Sequence, residues 1–396
     1  MKRIWTATLS TCLAALLLFY VYYHWIDPPP IREKVRVGFV YDNDESTSYT
    51  YNFSLARDEL KKKYGDRVEI LTRSNILEDE TAEPLQELVS KGCDIIFLNG
   101  YSPQVMEVAE KYPKVQFCQA SWMDMNGQTV PANYHSFKGE AYQARYVSGI
   151  AAGMALRQML DRKEISAEEA LVGYVAAFEN PEVVSGYTAF LMGIRSVAPE
   201  ATMKVGYTHT WSNYAVEKRI ARKLLDEGCI VISQHTDTIG PVLACEEMAQ
   251  KRTVYHVAYN QGLQEIAPRS ALIAARVNWA PYVTGAVEAV FNDKPIERMV
   301  KGNVHGTDMS AGFEQGWVEV MDLNIMLAAP GTEEKMNEAI AQFRRGNKSF
   351  AYRTDARAVG IQNVKAMIDL RNGFTENATS SYPSFYYLLP DLITVE

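Results

Sequence analysis

The chain has 396 residues, a formal net charge of −8 and an apolar fraction of 47%. That length suits two domains or one bilobed unit. The acidic balance, with a pI near 5.5, weighs against nucleic acid as a partner, because phosphate binding needs a basic face.

In chain order, Lys2 and Arg3 precede residues 4–26, which carry no charged side chain. A run of about twenty such residues spans a bilayer as a helix, and basic residues before it keep that end in the cytoplasm. Tyr20, Tyr22, Tyr23 and Trp25 suit the far interface, and Pro28 to Pro30 end the segment. The reading is an uncleaved transmembrane anchor over residues 1–30, with the bulk of the chain extracytoplasmic. A cleaved signal peptide is the rival, but no convincing small-x-small site follows the run. "LSTC" at residues 9–12 looks like a lipoprotein box, yet too little apolar sequence precedes Cys12.

Past residues 31–34 the patterns alternate. Residues 35–41, 68–73, 93–99 and 115–120 read as buried strands, and residues 54–64, 82–90 and 104–112 as helices. Lys61 to Lys63 end the first helix, where positive charge suits the dipole. Repeated β-α-β means a parallel sheet covered on both faces. A loop is expected over 121–136, then a long helix over 139–160. The Gly149 and Gly153 pair in that helix would suit helix pairing in a membrane, but Glu140, Arg145 and Arg157 interrupt the apolar run, so close packing on a sheet is the better reading.

The alternation restarts with strands at 170–178, 201–208, 229–234, 253–260 and 271–277 and helices at 181–197, 215–227, 241–250 and 279–292. Two successive α/β units suggest two similar lobes facing a cleft. Beyond Lys294 a strand pair within 312–320 and helices at 333–345 and 356–370 are expected, and the tail from 375 reads as irregular and surface-hugging. Cys93, Cys118, Cys229 and Cys245 each sit in an apolar pattern, which favours buried free thiols. No metal-ligand spacing is present, and no metal or cofactor is expected.

In open parallel sheets, ligands bind beyond the carboxyl ends of strands. The residues there are Asp42 and Asn43, with Tyr49 and Tyr51 at the helix start, then Tyr101, Trp122, Phe178, Trp211, His235, Thr236, Asp237, Asn260, Asn278 and Trp279. Ring systems and neutral amides recur, and paired acids do not. A flat heteroaromatic solute wants ring faces and a few directional polar groups on its edge. Saturated sugars also use aromatic platforms, so the set alone leaves the solute class open. Neither a Walker motif nor a Gly-rich phosphate loop appears. His235, Thr236 and Asp237 form no triad, because no nucleophile sits on a sharp turn nearby. Asp237 or Thr238 can instead cap the helix that leads into Pro241.

Several runs together carry a family likeness: "VGFVY", "YTYNFSLARDEL", "GEAYQARYVSGIAAG", "VGYVAAFENPEV", "EGCIVISQHTD" and "VNWAPY". On these the chain resembles the basic-membrane-protein family of ABC-transporter substrate-binding proteins, which includes purine nucleoside receptors. The resemblance implies an α/β type I periplasmic-binding-protein fold, with two Rossmann-like lobes joined by a hinge that closes on a small ligand. Lobe 1 is expected over 31–130 and 278–310, lobe 2 over 131–277 and 311–396. The implied function is solute binding without turnover, with an ABC permease as partner; a membrane-tethered sensory module is the alternative.

By the same resemblance, Tyr49 takes the place of the base-stacking aromatic. Phe190 matches the second aromatic, with Phe178 as the alternative. The aspartate that would meet a ribose is Asn260 here. No lysine matches the one expected after the following strand; Arg276 and Asn278 fall nearest. An amide both accepts and donates, which suits a nucleobase edge better than a ribose diol. The expectation is therefore a purine base ahead of a nucleoside.

Overall fold

The computed structural model describes residues 32–120 and 123–396. The expected anchor and Trp122 lie outside these residues. Among the described residues, no helix is long and apolar enough to cross a membrane.

Two seven-stranded, mostly parallel sheets dominate. The first holds β1 (Val35–Val40), β2 (Val68–Arg73), β3 (Ile95–Leu98), β4 (Gln116–Ala120) and β5 (Tyr134–Gly139), with β11 (Asn303–His305) and β12 (Asp308–Ala311) at one edge. The second holds β6 (Leu171–Ala176), β7 (Thr202–Tyr207), β8 (Val231–His235), β9 (Tyr255–Tyr259) and β10 (Ala271–Val277), with β13 (Val318–Met321) and β17 (Ile393–Val395) at its edges. The apolar runs that announced β1, β3, β8 and β9 are buried on both faces, as helix-covered parallel strands must be. With its covering helices, each sheet makes one of two α/β lobes.

The first sheet extends further along the chain than residue 130. The expected loop over 121–136 and the helix start at 139 conceal β5, which pairs with β4 and β12. Its sequence, "YHSFKG", is too polar to announce a buried strand, yet all six residues are buried. Each polar side chain has its own partner: His135 with Glu297, Ser136 with Asp308, and Lys138 with Glu182.

Three crossings join the lobes. β5 passes through Glu140 into the helix Ala141–Asp161, β10 passes through Asn278 into the helix Ala280–Phe291, and β12 passes into β13. They touch one another. A Cβ on Gly139 would sit 2.5 Å from a Val277 methyl and 3.2 Å from the Trp317 carbonyl, so only glycine fits. The Asn278 N–H donates to that same carbonyl at 2.7 Å.

The strands near 312–320 form, but β12 joins the first sheet and β13 the second, so they do not pair with each other. The Gly149 region packs on a helix rather than a sheet: a Cβ at Gly149 would lie 2.2 Å from the Phe190 carbonyl, and one at Gly193 would lie 2.0 Å from that of Tyr146. The helix expected over 356–370 is replaced by β14 (Ala358–Gly360) and β15 (Met367–Ile368), folded back through a turn in which the Gly360 N–H donates to the Ala366 carbonyl. The tail is not surface-hugging. It forms β16 (Tyr387–Leu388) and β17, and it buries Phe385, Leu389 and Ile393. Cys93, Cys118, Cys229 and Cys245 are buried and free.

Candidate functional site

The carboxyl end of β1 delivers Asp42 to the cleft. Its Oδ1 accepts from the Asn99 side-chain amide at 2.9 Å, the Asn43 N–H at 2.8 Å and the Thr50 hydroxyl at 3.3 Å. These bonds fix the carboxylate on one oxygen. Burial pushes the Asp42 carboxyl up, partly offset by the same donors. Beside it, the end of β3 contributes Gly100 and Tyr101. Together with Asp42, Thr81 and Leu98 they line a cavity of about 260 Å³, and Trp211 from the second lobe lines it too.

The second lobe supplies a row of rings. Phe178 lies 5.4 Å from Trp211, Trp211 lies 6.3 Å from His235, and His235 meets Tyr259 edge-on at 4.8 Å. Under Tyr259 sits the guanidinium of Arg145, 3.6 Å from the ring centroid. Arg145 is fully buried, and none of its guanidinium nitrogens has a hydrogen-bond partner among the described residues. Burial, and next the Arg145 charge, lower His235 to about 4, so its ring is neutral near pH 7.

The lobes are in contact. The Ser48 N–H donates to the Asp237 carbonyl at 3.0 Å. Lys138 on β5 reaches Glu182, in the first turn of the helix Pro181–Arg195, at 2.9 Å; their side chains are 6% and 11% exposed. Burial alone would raise the Glu182 carboxyl, but Lys138 and His235 outweigh it and hold it at about 2. Asp237 is raised well above the usual range, first by burial and then by the charges of Asp42, Glu217 and Glu182.

The expected residues therefore divide. Asp42, Tyr101, Trp211, Phe178, His235 and Asp237 gather around the cleft. Tyr49 donates its hydroxyl to the Asn99 carbonyl at 2.8 Å and stands edge-on to Trp279 at 6.1 Å. Trp279 itself is 3% exposed among Phe53 and Phe137. Tyr51 is 36% exposed on the outer helix face.

Phe190 is enclosed in the second lobe's core against Tyr174. Thr236 turns inward to Gln234. Thr238, not Asp237, accepts from the Gly240 N–H at the helix start. Asn260, at φ 65°, accepts from Asn52 of the first lobe at 3.3 Å. Asn278 braces a crossing through Gly316 and Ala280, and Arg276 pairs with Glu319.

Lys138, Arg145, Glu182 and Tyr259 were missed. Glu182 lies three residues past the strand-end Glu179 in "ENPEV", which is the one local signal available. Lys138 has none, because its partner comes from the other lobe.

Behind the rings, His256 is fully buried, with Nε2 3.0 Å from Gln234 Oε1. Burial, then Arg145, lowers it to about 3. In an unfolded chain it titrates near 6.5. Below that pH only the unfolded state takes the proton, so stability is lost as pH falls from 6.5 toward 3, by about 1.4 kcal/mol per pH unit. Denaturant unfolding at about pH 7.5 and about pH 5 is expected to show the parent losing roughly 2 kcal/mol more than His256→Gln.

The family described as Bmp, ABC transporter substrate-binding protein PnrA-like, matches residues 34–348. A purine-binding protein of Brucella abortus, BAB2_0673, is 29% identical over 265 residues, which is 66% of this chain and 70% of that protein. TsgA13 of Haloferax volcanii, provisionally described as an ABC transporter glucose-binding protein, is 28% identical over 265 residues, 66% of this chain and 62% of that one. Among solved structures, a transcriptional activator of the comK gene from Bacillus halodurans has a TM-score of 0.60 at 18% identity, covering 79% of this chain and 99% of that one. At that identity the likeness is one of fold.

Proposed function

From the premise that the chain belongs to the Bmp, PnrA-like family of ABC transporter substrate-binding proteins, we propose that its solute is a purine, the free base ahead of the nucleoside. Membership makes it an extracytoplasmic solute-binding protein rather than an enzyme. The observation that carries the purine reading is the cavity shared by the lobes, with the Trp211 ring on one side and Asp42 and Tyr101 on the other. A ring face plus a half-buried carboxyl suits a planar solute with N–H groups on its edge. The volume, about 260 Å³, falls just below the roughly 300–1,000 Å³ usual for larger ligands. The similarity to a purine-binding protein supports the same class.

The base is favoured over the nucleoside because the residues nearest to the positions expected to meet a ribose are already engaged. Asn260 is 2% exposed and engaged with Asn52 across the cleft, and Arg276 is engaged with Glu319. Phosphorylated purines are disfavoured on charge. Asp42 and Glu78 line the cavity, and Lys138 is taken by Glu182. Closure on the base would present one rigid surface to an ABC permease, the proposed partner.

Calorimetric titration with adenine, guanine, hypoxanthine, their nucleosides, AMP and glucose tests the reading. The expected outcome is one-to-one heat for at least one base, weaker binding of its nucleoside and none for AMP. Heat for glucose alone, or for no purine, would reject it.

A further inference from the structure

The family match ends at residue 348, and the structure gives the remaining residues a mechanical position. Lys348 grips two of the three crossings. Its Nζ lies 2.9 Å from Glu140, which follows β5, and 2.6 Å from Glu314, between β12 and β13. The chain beyond folds into a compact knot: Tyr352 stacks on Phe385 at 4.4 Å and donates its hydroxyl to Glu376 at 2.9 Å. The other Glu376 oxygen accepts from the Ser384 and Phe385 N–H groups at 2.6 and 3.0 Å.

From this knot the chain reaches both lobes. The Ser381 N–H donates at 2.6 Å to Asp308, whose other oxygen accepts from Ser136 on β5, so this end is held by the first lobe. Five residues later the Tyr386 hydroxyl donates at 3.2 Å to the Glu179 carbonyl, just ahead of the cleft-facing turn that carries Glu182. Beyond that, β17 pairs in parallel with β7, Ile393 opposite Met203, so the far end is sewn into the second lobe. Tyr382 lies between the two anchors; burial raises its phenol, and the charges of Glu182 in one lobe and Asp124 in the other add to that.

We propose that residues 376–396 are a strap, a fourth tie between the lobes that limits how far the cleft opens and slows solute exchange. The physical basis is tether length. Five residues fully extended reach at most about 18 Å, to which the Tyr386 side chain adds only its own length, so the separation of the two anchors is bounded whatever the hinge itself would allow. Buried Phe385, Leu389 and Ile393 keep slack from being drawn out of the tail. A lobe rotation must therefore break an anchor or stop.

The test is run without solute, so it stands or falls separately from the purine reading. Asp308→Asn with Tyr386→Phe weakens both anchors. Tyr386→Phe alone acts on an exposed bond and keeps the fold should the pair not. Hydrogen exchange is read at the crossings, residues 139–141, 277–280 and 312–317, alongside the radius of gyration from X-ray scattering. The strap predicts exchange at the crossings at least about fivefold faster and a larger radius. Unchanged exchange at the crossings and an unchanged radius in the folded variant would overturn it.

Discussion

Trp211→Ala is expected to weaken solute binding by roughly 10–100-fold, the equivalent of about 1–3 kcal/mol of lost stacking. The ring lines the shared cavity opposite Asp42 and Tyr101. The backbone role of the residue, accepting from the Asp237 N–H at 2.9 Å, survives the change. Because Trp211 is only half-buried, the fold should lose little. Phe190→Ala is the control. That ring is fully enclosed, so its removal is expected to cost about 3–5 kcal/mol of folding stability, with affinity unchanged at temperatures where the variant is folded. Titration calorimetry beside denaturant melts separates the two. Equal loss of affinity in both variants would mean that Trp211 is a packing residue like Phe190.

Lys138→Met carries the second large effect. It removes the counter-charge from Glu182 across the lobes and leaves a buried carboxylate with only His235 beside it, which costs up to about 3–5 kcal/mol, the range when one partner of such a pair is deleted. In a hinged protein that cost falls on the form with the lobes in contact, because opening lets Glu182 meet water. Solute-driven closure, followed by scattering or by tryptophan fluorescence, is expected to need much higher solute concentration. Adding Glu182→Gln should recover most of the loss, since the unpaired charge is then gone. If the double variant is no better than Lys138→Met, the pair is not what couples the lobes.

The strands of both sheets were legible where burial on two faces writes a continuous apolar run, as in "IIFL" and "YHVAY". β5 was not. Its His135, Ser136 and Lys138 are buried through partners 162, 172 and 44 residues away, and no local window contains those. The tail was misread for the same reason. Its polar spacing is genuine, but Glu376 and Asp308 absorb the backbone N–H groups that its irregular stretches would otherwise leave bare.

The strand-end rule names Asp42, Tyr101 and Trp211, which line one cavity, and His235 beside Trp211, because position along a parallel strand alone fixes which end a residue occupies. It cannot say which way a side chain turns. Thr236 and Asn278 sit at strand ends and spend their polar groups on the backbone or on a neighbouring amide. Arg145 lies near the start of the helix Ala141–Asp161, and its stacking on Tyr259 and its charge beside His235 link it to the site.

The most direct measurement is a crystal structure of the protein grown with adenine or hypoxanthine. Density for a flat ring lying against Trp211, with an edge nitrogen within about 3 Å of Asp42, is the predicted result. A base found elsewhere on the surface, or a cleft between Trp211 and Tyr101 holding only solvent at saturating base, would contradict the account.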